Sequence, residues 1–287
     1  MSGQYREYPP PADLRGVSAC LWELTPAADH VQLVIPDGCV DLILLAGHGL
    51  VLAGADTGPR RVAVPGGSIS TGIRLRAAAA GAALGRPASE IRDQEVAAAL
   101  VWGKSGERLA EELAGAGPRQ RLERLAQAVA ARRAEPDPLV MAAGRRLAAP
   151  RARVAAVAAD LGVSERQLSR RMLGAVGYGP KMLARVARLR RLIAGAGGVA
   201  GTDAITGTGW IAGTDAITGT GGIAGTGGIT GTGGITGTNR IAGADGGLAA
   251  RALLAGYASQ SHMTDEVRRL TGATPVRFLE DAGLTAA

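Results

Sequence analysis

The sequence predicts an α+β protein. Its N-terminal part is expected to form a small β-barrel or sandwich with helices, and its C-terminal part an all-α region with two helix-turn-helix units. Three observations support this fold class: short apolar stretches between turn residues up to residue 76, a helical period from about residue 88, and two helix-turn-helix patterns beyond residue 150 that Gly/Thr/Ile hexads separate.

The β prediction rests on apolar or alternating stretches of four to eight residues. Turn signals such as Pro36-Asp37-Gly38 lie between them, and many short strands at this spacing are typical of a small barrel or sandwich. Asp41 has two interpretations, as an effector contact or as a buried acid satisfied by backbone donors. Cys39 is interpreted as a packed thiol, since no His lies near it. The predicted strands are 17–24, 31–35, 39–45, 50–53, 61–64 and 69–76.

The helical period begins near Ala88, with Ser89 as the expected N-cap. Residues 105–134 continue as helix, with a break at 115–118 that contains two Gly and a Pro. Pro136-Asp137-Pro138 then stops the helix and marks a boundary. We therefore expect a β-rich sensing or dimerisation domain over 1–103, a helical linker over 104–138, and a DNA-binding domain over 139–287.

Residues 195–242 are a low-complexity insert of eight hexads, such as GTGGIT. The fifth place of every hexad is Val or Ile. A hexapeptide period with one aliphatic residue is typical of a left-handed β-helix. The high Gly content opposes ordering because Gly loses much conformational entropy on folding. A mobile insert and an ordered solenoid therefore both remain open at this point.

The positive charge of the chain is concentrated in its C-terminal half. The chain holds 32 Lys and Arg against 25 Asp and Glu, which gives a net charge of +7, and 17 of the cations and only nine of the acids lie in 139–287. Sixteen of those 17 cations are Arg, a side chain suited to bidentate contacts with phosphate or guanine. A basic half beside a near-neutral half indicates a nucleic-acid partner.

The remaining composition narrows the class of protein. Two Cys and three His give no zinc-site spacing and no disulfide scaffold, so we expect no metal and no cofactor. The polar N-terminus and the absence of an apolar run of 18 residues favour a cytoplasmic protein without a membrane partner.

Residues 154–173 carry the clearest functional pattern. One apolar helix face is formed by Val154, Ala155, Val157, Ala158 and Leu161. Gly162 suits a turn with positive φ, and Ser164 suits an N-cap. On the following helix Leu168, Met172 and Leu173 are predicted to face inward. The outer face of that helix carries Arg166, Ser169 and Arg170 as donors for a major groove.

Two segments resemble the DNA-binding domain of the AraC/XylS family of regulators: LGVSERQLSRRM (161–172) with GYGP (177–180), and GYASQSHMTDEVRRLTGATPVRFL (256–279). The resemblance implies two helix-turn-helix units on one long connecting helix, here 180–194 with Arg185, Arg188, Arg190 and Arg191. In the second unit it implies base-facing Gln260, Ser261, His262 and Thr264, and phosphate or structural roles for Arg268 and Arg269. Asp265 stands where that family usually has a basic residue.

The N-terminal half is similar to a poorly characterised domain that often precedes AraC-type DNA-binding domains. The matching elements are Pro36-Asp37-Gly38-Cys39-Val40-Asp41-Leu42, Gly72-Ile73-Arg74 and Leu84-Gly85-Arg86-Pro87-Ala88.

The sequence thus predicts a regulator of transcription that binds specific double-stranded DNA and is not an enzyme, because no catalytic constellation is visible. A small-molecule effector and a second copy of the chain are further expected partners. Two alternatives stay open: a ligand-binding protein or enzyme built on the β-rich domain, and a regulator disabled by the repeat insertion.

Overall fold

The computed structural model describes residues 4–195, 211–212 and 247–281. Within this part of the chain the strands form two antiparallel sheets, one with the order β1-β2-β7-β4-β5-β8 and one with the order β6-β3-β9. The strands are Gln4–Tyr8 (β1), Ser18–Thr25 (β2), His30–Val34 (β3), Val40–Leu45 (β4), Gly49–Ala53 (β5), Arg60–Val64 (β6), Ser70–Leu75 (β7), Glu95–Ala97 (β8) and Ile211–Ala212 (β9).

The six strands predicted from alternation are all confirmed, as β2 to β7. The barrel is not, because the described strands form no closed sheet. β1 and β8 are the two edges of the six-stranded sheet and do not pair with each other, while β3 and β6 pair only in the smaller sheet. The N-terminal part is therefore a mixed α/β structure with an open antiparallel sheet and a second, smaller sheet.

Both faces of the large sheet are covered. Along β4 and β5, Leu42 and Leu52 belong to the main apolar core, while their neighbours Ile43 and Val51 belong to a separate cluster on the opposite face. This alternation follows from the two-residue period of a strand. It also explains why residues 40–45 are mostly apolar rather than alternately polar.

Eleven α-helices occur among the described residues. The expected helical N-cap at Ser89 is wrong, because Ala88–Ile91 form a 3₁₀ turn preceded by Pro87. The predicted break at 115–118 is confirmed, since Pro118 starts a new helix at its first turn, where a missing N–H costs nothing. The helices are Ala80–Leu84 (α1), Ala98–Trp102 (α2), Lys104–Ala114 (α3), Pro118–Ala130 (α4), Pro138–Leu147 (α5), Val154–Asp160 (α6), Glu165–Val176 (α7), Pro180–Gly195 (α8), Leu248–Leu254 (α9), Gln260–Thr271 (α10) and Pro275–Asp281 (α11).

The sheet and the first C-terminal helices share one apolar core, which runs from Leu14 through β4, β5 and β7 to Val186 on α8. At one point of this contact two backbones touch: a Cβ on Gly81 of α1 would collide with the carbonyl group of Gly174 on α7. Further along α8, Leu189, Leu192 and Ile193 enter a second core with α9, α10 and α11.

The segment 35–39 touches both cores. Ile35 packs in the second core beside residues of α8 and α10. Gly38, with φ +88°, lies against Tyr178 and Leu183, and any Cβ there would come within 2.7 Å of the Tyr178 hydroxyl oxygen. A chain that enters this narrow space needs a glycine, which adopts positive φ and has no side chain.

The two interpretations of the hexads, a mobile insert and an ordered solenoid, concern residues that mostly lie outside the described part of the chain. Apart from Gly195, Ile211 and Ala212, the insert at 195–242 lies outside the described residues, and β9 is the only described strand within it. In the described part of the chain, no helix is long and apolar enough to cross a membrane.

Candidate functional site

The first predicted helix pair is present as α6 and α7. Gly162 has φ +68° in the turn, as its position predicted. The Ser164 hydroxyl accepts from the Gln167 N–H at 3.2 Å, and the Gln167 side chain accepts from the Ser164 N–H at 2.8 Å. These two reciprocal bonds form a capping box, which satisfies two N–H groups that the first turn of a helix leaves unpaired. The start of α7 is thus fixed by its own sequence.

The predicted faces of α7 are confirmed in part: Leu168 and Met172 lie on its inner face, and Arg166 and Arg170 on its outer face. Leu168 and Met172 are fully buried against the core that α6 shares through Val157 and Ala158. Arg166 and Arg170 are exposed, and neither forms an ion pair with a described residue. Their guanidinium groups are therefore open to a partner, with half-buried Ser169 between them. Leu173 is only half-buried.

The second predicted helix pair is present as α9 and α10. Gly256 in the turn has φ +88°, and the Ser259 hydroxyl caps α10 by accepting from the His262 N–H at 3.1 Å. Met263, Val267 and Leu270 point into the second core. The two pairs thus share the same local construction: a glycine turn, a serine N-cap and an apolar inner face.

The residues predicted to face bases on α10 fall into two groups. Gln260 and Ser261 are exposed. His262 turns inward: its ring stands edge-on to Tyr257 with centroids 5.6 Å apart, and its Nδ1 accepts from the Ala258 N–H at 3.2 Å. Thr264 donates its hydroxyl proton to the Gln260 carbonyl at 3.0 Å. Of these four side chains, Gln260 and Ser261 are the freest to contact a partner.

The two arginines at the end of α10 also differ. Arg268 is exposed, and no described residue forms an ion pair with it. Arg269 is 68% exposed, with its Nη1 3.8 Å from the Glu266 Oε1. Asp265 is exposed and makes no ion pair with any described residue. Arg268, one turn further along α10, is therefore not an ion-pair partner of Asp265.

Glu266 is a site residue that sequence reasoning missed. It is buried, and its Oε2 accepts from Arg185 Nε at 2.8 Å and from Arg188 Nη2 at 3.3 Å. These two arginines belong to α8, so the carboxylate fastens α10 to the connecting helix. The signal was present in the sequence, since residue 266 shares the inner face of α10 with residues 263 and 270 at helical spacing.

The connecting helix uses its other arginines internally as well. Arg190 is buried, while Arg191 donates from Nε to the Ala255 carbonyl at 2.9 Å and from Nη1 to the Ala148 carbonyl. Arg188 also lies over the Tyr257 ring, 5.7 Å from its centroid. Part of the positive excess of the C-terminal half therefore holds the fold together, and only the exposed remainder can meet a partner.

In the N-terminal half, Asp41 is half-buried, with its side chain 14% exposed, and its described partners are side chains rather than the predicted backbone donors. Its carboxylate accepts from Trp22 Nε1 at 2.8 Å and lies 3.2 Å from Arg74 Nε. Burial raises the pKa of Asp41, and the Arg74 charge opposes that shift. Burial also raises the pKa of the Cys39 thiol. No group of three His, Cys, Asp or Glu side chains in the described part is placed to hold a metal ion.

Comparison with known proteins gives one finding. Residues 6–97 match a family model described as "Domain of unknown function (DUF6597)". This match covers less than half of the chain, lies wholly in the β-rich part and states no activity. No curated protein and no solved structure matches the chain. The resemblance of the C-terminal half to the AraC/XylS family therefore stays a prediction.

Proposed function

We propose that this protein is a transcription regulator of the AraC/XylS type that binds specific double-stranded DNA through α7 and α10. The observation that carries the proposal is the common build of the two helix pairs. In both, the second helix starts at a serine N-cap, buries an apolar face and leaves side-chain donors exposed on the other. A helix of this kind fits the major groove with its first turns toward the bases.

The exposed donors suit that role. Arg166 and Arg170 have no competing carboxylate among the described residues, so contact with a guanine would not require an existing ion pair to break. On α10, Gln260 and Ser261 occupy the first turn as candidates for base edges, and Gln can bind adenine through two hydrogen bonds. Arg268 and Arg269, in the last turn, are candidates for phosphate contacts.

The Glu266 contacts support cooperation between the two units. Because Arg185 and Arg188 of α8 hold α10, the second unit is fastened to the helix that directly follows the first. Two recognition helices can read neighbouring grooves only if the distance between them is fixed.

The first test removes one donor from α7. Arg166→Ala and Arg170→Ala are each expected to weaken specific binding by about 1–3 kcal/mol and to relax the preference at one or two base pairs. Arg108→Ala is the matched control, because Arg108 is equally exposed on α3 and its loss changes the net charge equally. Affinity and base preference are measured by site selection on random duplexes. Unchanged base preferences in both α7 variants would show that this helix does not read bases.

The second test concerns Asp265 on α10. A carboxylate beside phosphates is repulsive, so Asp265→Arg is expected to tighten DNA binding and to steepen the salt dependence by about one phosphate contact, or roughly 0.9 in log–log units. Asp13→Arg, which makes the same charge change in the β-rich half, serves as control. If Asp265→Arg changes affinity and salt slope no more than the control does, α10 does not approach the phosphates at this point.

A further inference from the structure

The loop 148–153 joins α5 to α6 and is fastened to the second helix pair. Arg191 of α8 holds it there, because its guanidinium group donates both to the Ala148 carbonyl in the loop and to the Ala255 carbonyl at the end of α9. Both acceptors are backbone oxygens, so these two bonds fix the path of the chain. The loop that leads into the first helix pair is thus held against the second.

The loop also touches the turn between α9 and α10. A Cβ on Gly256 would lie 3.4 Å from Pro150 Cα and 3.6 Å from Arg151 N. Gly256 is three residues before Ser259, the N-cap of α10. The loop therefore lies beside the start of the second predicted recognition helix, while its own chain continues directly into α6.

Two arginines of this loop are open to a partner. Arg151 and Arg153 are exposed, and neither forms an ion pair or a side-chain hydrogen bond with a described residue. They differ in this respect from Arg185, Arg188 and Arg191 of α8, which bind groups of the protein itself. An exposed guanidinium group without a carboxylate partner can bind an anion without breaking an existing contact.

Arg151 also has a strained backbone. Its φ is +60°, in the left-handed region that favours glycine and is unfavourable for residues with a Cβ. No described contact of the Arg151 side chain compensates for this strain. Strained residues are concentrated at binding and catalytic sites, where the side chain has a use outside the fold.

The place of the loop on DNA follows from the construction of helix-turn-helix units. The second helix of such a unit enters the major groove with its N-terminal residues toward the bases, while the first helix crosses the DNA backbone. The loop 148–153 leads into the first helix of one unit and lies beside the start of the second helix of the other. On a duplex held by α7 and α10, it therefore lies at the phosphates between the two grooves.

We propose that Arg151 and Arg153 bind the phosphates of the DNA backbone between the grooves that α7 and α10 occupy. This inference rests on the proposed function and adds to it a contact with the backbone rather than with bases. Phosphate contacts fix the position of a protein on the duplex and carry no sequence information. The two arginines therefore contribute affinity and register, and α7 and α10 contribute the choice of sequence.

The test replaces Arg151 by glycine in the full chain. Loss of one phosphate contact is expected to weaken binding about fivefold at 0.15 M salt, equally on a selected site and on an unrelated duplex, and to reduce the salt dependence by roughly 0.9 in log–log units. Because glycine relaxes the positive φ, the melting temperature should not fall. Arg133→Gly is the matched control, since Arg133 is also exposed, has φ +49° and follows α4, outside both helix pairs.

Two outcomes would overturn the assignment. Equal affinities and equal salt slopes for Arg151→Gly and Arg133→Gly would show that the loop does not contact DNA. A changed preference at one or two base pairs, the result expected for Arg166→Ala, would show that Arg151 contacts a base instead of a phosphate. If the wild-type chain binds no duplex at all, the proposed function fails as well, so the two failures are distinguishable.

Arg153→Ala repeats the test without a change in backbone conformation. It is expected to reduce the salt slope by the same amount and to leave base preferences unchanged. If Arg151→Gly instead melts at a lower temperature than Arg133→Gly, Arg151 has a structural role, and the salt slope of Arg153→Ala decides the proposal. An unchanged slope in that variant would then overturn it.

Discussion

Removal of the Glu266 charge is the sharpest test of how the second helix pair is held. Glu266→Gln keeps the size of the side chain but loses the carboxylate between Arg185 and Arg188. Breaking a fully buried ion pair costs about 3–5 kcal/mol. Here the Glu266 side chain is 10% exposed, but its partners are 23% and 18% exposed and can regain part of their hydration. We therefore expect a loss of roughly 2–3 kcal/mol in the free energy of unfolding.

The assay is urea unfolding of the full chain, followed by circular dichroism. A loss of this size corresponds to a decrease of about 5–10 °C in melting temperature for a protein of this length. Asp265→Asn is the matched control: it removes the same charge from the neighbouring position, which is exposed and unpaired among the described residues, and should stay within about 0.5 kcal/mol of wild type.

A double-mutant cycle with Arg185→Met then isolates the pairwise contribution. Coupling of about 1 kcal/mol or more between positions 185 and 266 is expected for groups 2.8 Å apart. If Glu266→Gln is no more destabilising than Asp265→Asn, or if the cycle gives no coupling, the ion pairs do not fasten α10 to α8 and the reasoning is refuted.

Two further predictions concern the fold. Gly81→Ala should destabilise the protein by about 1–3 kcal/mol, because the added methyl group would meet the Gly174 backbone. Gly174→Ala has open space around its new methyl group and should be neutral or stabilising by up to about 1 kcal/mol. Equal effects of the two substitutions in urea unfolding would contradict the close approach of α1 and α7. Burial raises the pKa of Asp56 from 3.8 to about 6. The stability that the protonated Asp56 carboxyl group contributes is therefore complete at low pH and is lost as the pH rises from about 4 to about 6. The melting temperature of Asp56→Asn should therefore rise relative to wild type between pH 4 and pH 7, and a constant difference would show that Asp56 titrates normally.

Local patterns were sufficient to predict much of the structure. The apolar or alternating stretches of β2 to β7, the capped start of α7 at Ser164 and the turn at Gly162 all depend on neighbours in sequence, and all are confirmed. β1 was missed because QYREY has little apolar character, and β8 because three residues show no period.

Features that depend on distant partners could not be predicted in this way. The open sheet results from how strands pair, since β2 lies beside β7 rather than β3. The internal use of Arg185 and Arg188 depends on Glu266, about 80 residues away in sequence. The inward turn of His262 likewise depends on the ring of Tyr257, which sequence alone places nearby without orienting it.

The segment 35–39 connects the sheets of the N-terminal half to the helical part of the fold. Asp37 and Cys39 line a cavity between the two sheets. Ile35 packs in the second core with residues of α8 and α10, and Gly38 lies against Tyr178 and against Leu183 of α8. A Cβ at position 38 would come within 2.7 Å of the Tyr178 hydroxyl oxygen, so Gly38 lets this segment pack tightly against the helical part. If the proposed DNA contacts of the helical part shift this segment, any molecule bound beside the segment changes the affinity for DNA by the same factor as DNA changes the affinity for that molecule.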